Sequence, residues 1–138
     1  MTGQPPNPTK WDDLSIRIAS SVAMTVIGAV GVILGDVWFQ MLVVFVSAVM
    51  VWELWMMIRP TEPTTGMLLA ALVASVMSGQ LAYDSQWGLL LFLVAPLIGA
   101  TQLRTEIKTF FVFALGIQLA GWGLVHFRAD YGFTWLLW

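Results

Sequence analysis

A run of 22 residues, Val37–Ile58 (VWFQMLVVFVSAVMVWELWMMI), most constrains what this chain can fold into. Gln40, Ser47 and Glu53 are its only polar side chains, and Arg59-Pro60 closes it. A helix rises ~1.5 Å per residue, so the run covers roughly 33 Å, enough for the ~30 Å hydrocarbon core of a bilayer. A helix on a soluble protein shows a polar face every three or four residues. This run has none, and its solvent is lipid.

The rest of the chain has the same character. Hydrophobic residues make up 59% of the 138 residues and charged ones only 10%, with a mean hydropathy of +0.83. A soluble domain is roughly a quarter charged, so the expectation is an all-α, polytopic integral membrane protein. The net charge of −2 argues against a nucleic-acid partner. No cysteine is present, which excludes disulfides and thiolate metal sites. A single histidine, His126, excludes a multi-histidine metal site within the chain. The polar, proline-rich start MTGQPPNPTKWDDLS is unlike a cleavable signal peptide, so the first apolar run is expected to stay in the membrane.

Read in order, residues 1–17 form a cytoplasmic tail, with Pro5, Pro6 and Pro8 opposing helix and Trp11 suited to the lipid–water interface. Five spans are expected, at about 18–35, 37–58, 67–83, 87–103 and 109–127. Asp36 alone separates the first two, which makes them an antiparallel hairpin. Gly28, Gly31 and Gly35 fall near one face of span one, and the Gly31/Gly35 pair permits close approach of another helix, within or between chains. That face suggests a homodimer contact. RPTEPTTG (59–66) is a turn by its prolines and glycine. Ala70, Ala71, Ala74, Ser75, Ser78 and Gly79 give span three a small-residue surface for helix contact. Pro96 predicts a kink inside span four. Arg128–Gly132 reads as a turn, and FTWLLW from 133 as the opening of a truncated sixth span.

With five spans, Lys10, Arg17, Arg59, Arg104 and Lys108 share one side and only Arg128 lies on the other. The excess of Lys and Arg marks the cytoplasmic face, so the N-terminus is expected inside, in the inner (cytoplasmic) membrane.

Candidate chemistry is sparse. No phosphate-binding loop, dinucleotide fingerprint or metal-ligand cluster is present, and no catalytic or metal-binding residue is assigned. Glu53 is the one ionisable side chain well inside a span, which makes it a functional candidate by default. It lies about 8 Å from the Ile58 end, between Trp52 and Trp55. The favoured reading is structural, with Glu53 hydrogen-bonded to a neighbouring helix or to the interface; a role near a site stays open. His126 reads as interfacial. Arg59, Arg104 and Lys108 set topology or touch anionic headgroups. Trp38, Trp52, Trp55, Trp87, Trp135 and Trp138 read as a belt at the membrane interfaces.

Three stretches resemble the bacterial phosphatidate cytidylyltransferase (CDP-diacylglycerol synthase) family. They are the lead into span one (Leu14, Arg17, Ser20), the end of span two (Trp52, Glu53, Trp55) and the terminal segment (Arg128, Gly132, Trp135). The resemblance implies a membrane nucleotidyltransferase of phospholipid biosynthesis that joins CTP to phosphatidic acid, releasing pyrophosphate. It also implies Mg2+, held by carboxylates of a later portion that this chain does not include. The chain would then be the N-terminal membrane part, inactive alone. The alternative is a small complete multi-span protein with a structural or assembly role. A transport subunit ranks last, because the spans lack a polar lining.

Overall fold

The computed structural model describes residues 10–83 and 86–136, and their side chains over 14–83 and 87–132. Every regular element among them is helical. In chain order they are α1 (Lys10–Leu34), α2 (Asp36–Ile58), α3 (Pro63–Tyr83), a 3-10 segment (Gln86–Leu93), α4 (Val94–Gln102) and α5 (Ile107–Leu136). Four helices are long and apolar enough to cross a membrane: Leu14–Leu34, Asp36–Ile58, Pro63–Tyr83 and Ile107–Gly132. The chain is therefore an all-helical protein of membrane type.

Several expected boundaries move. α1 begins at Lys10, so the end of the N-terminal segment, residues 10–17, is helical and continuous with the first apolar run. α3 begins at Pro63 rather than residue 67, since Pro is favoured in a first turn where its missing N–H is not needed. α5 continues through Arg128–Tyr131, which were expected to turn. The break comes at Gly132 alone, with φ 73° and ψ −177°, a conformation open essentially only to glycine. Trp138 of the expected sixth span lies outside the described residues.

The fourth apolar stretch departs most from expectation. It is not one helix kinked at Pro96 but an eight-residue 3-10 segment leading into a nine-residue α4. Pro96 occupies the third position of α4, where no intrahelical N–H bond is required. An α-helix running back through this point would drive the proline ring into the Phe92 carbonyl, and Pro96 has no N–H to offer that oxygen. Gln118 of α5 supplies the donor instead. Its Nε2 reaches Phe92 O at 3.1 Å and Ala114 O at 3.2 Å, from a side chain that is completely buried. Gln118→Leu is expected to cost ~0.6–1.7 kcal/mol, the range for interhelical hydrogen bonds in membranes. Adding Pro96→Ala, which gives the Phe92 carbonyl an N–H of its own, should return part of it. Reversible unfolding of both variants in mixed micelles measures the coupling.

α2 is the centre of the fold. Its buried residues Phe39, Val43, Ser47, Val51 and Trp55 are spaced by four throughout. Such a row is a ridge inclined to the helix axis, so α2 presents its Phe39 end to α1 and α5 and its Trp55 end to α3 and α5. α3 answers with Gly66, Leu69, Val73, Met77 and Gln80. The small surface expected to make that contact does so only in part: Ala70, Ala74 and Gly79 are half-buried and Ala74 lines the cleft against α2, while Ala71, Ser75 and Ser78 are exposed. A helix buried against another needs bulk to fill the gap, and exposed small residues cost nothing in lipid.

The helices alternate in direction. The α2–α3 turn and the α4–α5 link lie at one end, where Arg59 pairs with Glu62 at 2.7 Å and Phe110 of α5 sits against Gly99 of α4. The α1–α2 link lies at the other end with Arg128. α1 is the loosest member: no residue of its apolar window is buried over 18 positions, and residues 14–27 are exposed on every side.

Candidate functional site

An apolar groove of about 830 Å³ lies between α1, α2 and α5. α1 contributes Gly28 and Val32, α2 the stretch from Phe39 to Met50, and α5 the stretch from Val112 to Leu124. The small residues Gly116, Ala120 and Gly121 form the α5 wall. Nothing lies within 4 Å of where a side chain on Gly28 or Gly116 would begin, so the groove is open over both. Its rim residues Met50, Val112 and Phe113 are exposed. Ser47 is the one polar side chain in the lining. It is 4% exposed and makes no hydrogen bond among the described residues.

Phe39 to Met50 is eleven steps of helix, roughly 16 Å. That is about half of the ~30 Å hydrocarbon core, the depth of a single leaflet. The groove begins near the α1–α2 link and stops near the middle of α2.

A second, smaller cavity of about 250 Å³ adjoins the groove through Phe39, which lines both. Its polar walls are Asp36, Gln40 and Arg128. Arg128 is half-buried and bridges two helices. Its Nη2 donates to Val32 O at 2.5 Å, and its guanidinium carbon lies 5.4 Å from the Phe39 ring centre. The last carbonyls of a helix lack intrahelical donors and carry partial negative charge, so a cation at the end of α1 is well placed. Arg128 Nε is buried without a partner, and no carboxylate pairs with the guanidinium among the described residues. Gly35 makes this approach possible. A β-carbon there would run into the guanidinium, and the backbone at Gly35 has φ 68° and ψ −163°, glycine territory.

Of the expected glycine face, Gly31 packs against Leu42 of α2 and Gly35 against Arg128 of α5, while Gly28 opens on the groove. The close contact is thus made within the chain.

At the opposite end, Glu53 is exposed and makes no hydrogen bond or ion pair among the described residues, so of the two expected partners, a neighbouring helix or the interface, the helix supplies none. The tryptophans divide. Trp38 and Trp87 are 64% and 80% exposed, in keeping with an interfacial belt. Trp55 is not a belt residue: it is completely buried, stacks edge-on with Phe110 (5.6 Å, 83°), and donates from Nε1 to Glu62 O at 3.0 Å. Trp52 is half-buried with its Nε1 enclosed. The side chain of Trp135 and all of Trp138 lie outside the described residues. His126 is half-buried on α5, its ring 4.2 Å from that of Trp122. In the lead of α1, Ser20 and Ser21 both donate to Arg17 O at 2.9 Å. Arg104 and Lys108 are exposed, and no group of three His, Cys, Asp or Glu suited to a metal occurs among the described residues. Sequence reasoning singled out Gly28 and Arg128 but missed the groove, whose walls come from three segments far apart in the chain.

No protein-family profile, curated protein or solved structure matches the chain.

Proposed function

We propose that this chain is a five-span membrane protein whose work is to hold a lipid hydrocarbon chain in the groove between α1, α2 and α5. The observation that carries this is the groove itself: apolar, one leaflet deep and open sideways to the bilayer. The fifth crossing is the 3-10 segment with α4. Eight residues at ~2.0 Å and nine at ~1.5 Å give roughly 30 Å, enough to cross. The N-terminus is then cytoplasmic by the five-to-one distribution of basic residues.

Both parts are testable. The absence of cysteine allows single cysteines to report sidedness. Thr105→Cys should react with an impermeant maleimide only after the cells are opened, and Ala129→Cys before; the reverse pattern would leave four crossings. For the groove, Gly116→Leu projects a side chain into open space and should lower lipid retention by the purified protein without changing its thermal stability. Unchanged retention would remove the groove from consideration.

A cytidylyltransferase role is the second reading, supported by the stretches around Arg17, Trp52 and Arg128. It needs phosphatidic acid to meet CTP and a divalent metal at the cytoplasmic face. The groove's polar mouth lies at the other end, beside Arg128, which is why lipid binding ranks first. Incorporation of labelled CTP into lipid by membranes carrying the protein would reverse that order.

A further inference from the structure

We propose that the occupant is one phospholipid with an amine-bearing, zwitterionic headgroup, its acyl chain in the groove, its phosphate on Arg128 and its ammonium toward Asp36. This rests on the lipid-holding reading above and goes on to name the lipid class.

The argument starts from depth. A transmembrane helix of a partner or of a second copy would need a trough about 30 Å long, whereas this one runs roughly 16 Å and ends near the midplane. An acyl chain of one leaflet has that reach. The position of the polar cavity then fixes which end carries the headgroup. It adjoins the groove at Phe39, which lines both, by the α1–α2 link, where α1 and α2 would leave the hydrocarbon. A tail lying against Val43 and Ser47 therefore continues past Phe39 into the space walled by Arg128, Gln40 and Asp36.

The chemistry of that space selects the headgroup. Arg128 spends one nitrogen, Nη2, on Val32 O and has no carboxylate partner. A guanidinium offers donors in a planar fork that suits a phosphodiester, and such charge-assisted bonds are the strong ones. Asp36 lines the same cavity, is exposed, and forms no ion pair with Arg128. One cation and one anion leave the cavity with no net charge, so an anionic headgroup gains little by entering. A headgroup that carries phosphate and ammonium together satisfies both walls. The smaller apolar cleft between α2 and α3, about 410 Å³, has Gln40 at its edge but no cation, so it lacks this selection.

Native mass spectrometry of the detergent-purified chain, offered equal amounts of phosphatidylethanolamine and phosphatidylglycerol, tests the proposal. The expected result is one lipid per chain with phosphatidylethanolamine favoured. Arg128→Gln keeps a donor for Val32 O and should cut its occupancy about tenfold, the effect of one charge-assisted contact. Asp36→Asn keeps the shape of a residue at φ 40° and should shift preference toward phosphatidylglycerol. Equal retention of both lipids, unchanged in both variants, overturns the headgroup assignment while leaving the groove a lipid site. Retention that Gly116→Leu does not lower overturns the groove reading as well. A lipid-free dimer abolished by Gly116→Leu would make a second copy the occupant and overturn both.

Discussion

Trp55→Ala is expected to destabilise the protein by about 2–3 kcal/mol, the largest effect of any single truncation in the chain. Trp→Ala in a soluble core costs ~3–5 kcal/mol, part of it lost transfer from water. That part is missing here, because the dissociated helices stay in lipid that is as apolar as the protein interior. What remains is packing and polar contact. Trp55 is completely buried where α2, α3 and α5 meet, with Phe110 against its edge and Gly66 against its Cδ1 side. Its Nε1 holds the Glu62 carbonyl at 3.0 Å, which ties the α2–α3 turn to the core. A Trp55→Phe variant keeps most of the ring and loses that bond, so it should cost about 1 kcal/mol. Unfolding midpoints in mixed micelles would separate the two. If Trp55→Ala behaves like a substitution at the exposed Trp38, the residue belongs to the belt after all.

Gly35→Ala ranks next, at roughly 1–3 kcal/mol from backbone strain alone. The link between α1 and α2 consists of this one residue, followed by Asp36 at φ 40°. A β-carbon at Gly35 also pushes aside the Arg128 guanidinium, which frees the Val32 carbonyl and uncaps α1. The variant should therefore lose more stability than Arg128→Gln, which leaves the backbone unstrained. A thermal scan of Gly35→Ala, Arg128→Gln and the double variant checks this. The double variant should lose less than the sum of the two, because the contact with the Val32 carbonyl is lost only once while the strain at Gly35 remains.

Much of this architecture was legible in the sequence, and the reason is length. Val37–Ile58 is too long and too apolar to be anything but a span, and the single-residue link at its start forces a hairpin. The Gly31/Gly35 pair announced close packing, which is made against Leu42 and Arg128. What stayed hidden was direction around each helix. In water, polarity marks the outer face, so sequence reveals which side is buried. In lipid both sides are apolar and the mark disappears. Trp55 and Trp38 therefore looked alike, though one is fully enclosed and the other 64% exposed. The α3 contact face was assigned to its small residues for the same reason; Ala70, Ala74 and Gly79 are only half-buried, and Val73 and Met77 are its enclosed apolar centre. The site was hidden differently. Pro96 signalled a disturbance, but the Gln118 amide that answers it lies on α5, and no local pattern links them. Arg128 stood out only as the single cation on the sparsely charged side; its place beside Phe39 and Asp36 exists only once α1, α2 and α5 have assembled.

The thin attachment of α1 has a mechanical consequence. Gly31 on Leu42 and Arg128 on Val32 O fasten only its last turns, so the rest of the rod is free to lean. A helix whose apolar length exceeds the local hydrocarbon thickness tilts to hide the excess. Thinner bilayers will swing the free arm of α1 about its fastened tip, and Gly28, three residues above the Gly31 pivot, will move with it. The width of the opening it borders should then vary with the thickness of the surrounding bilayer.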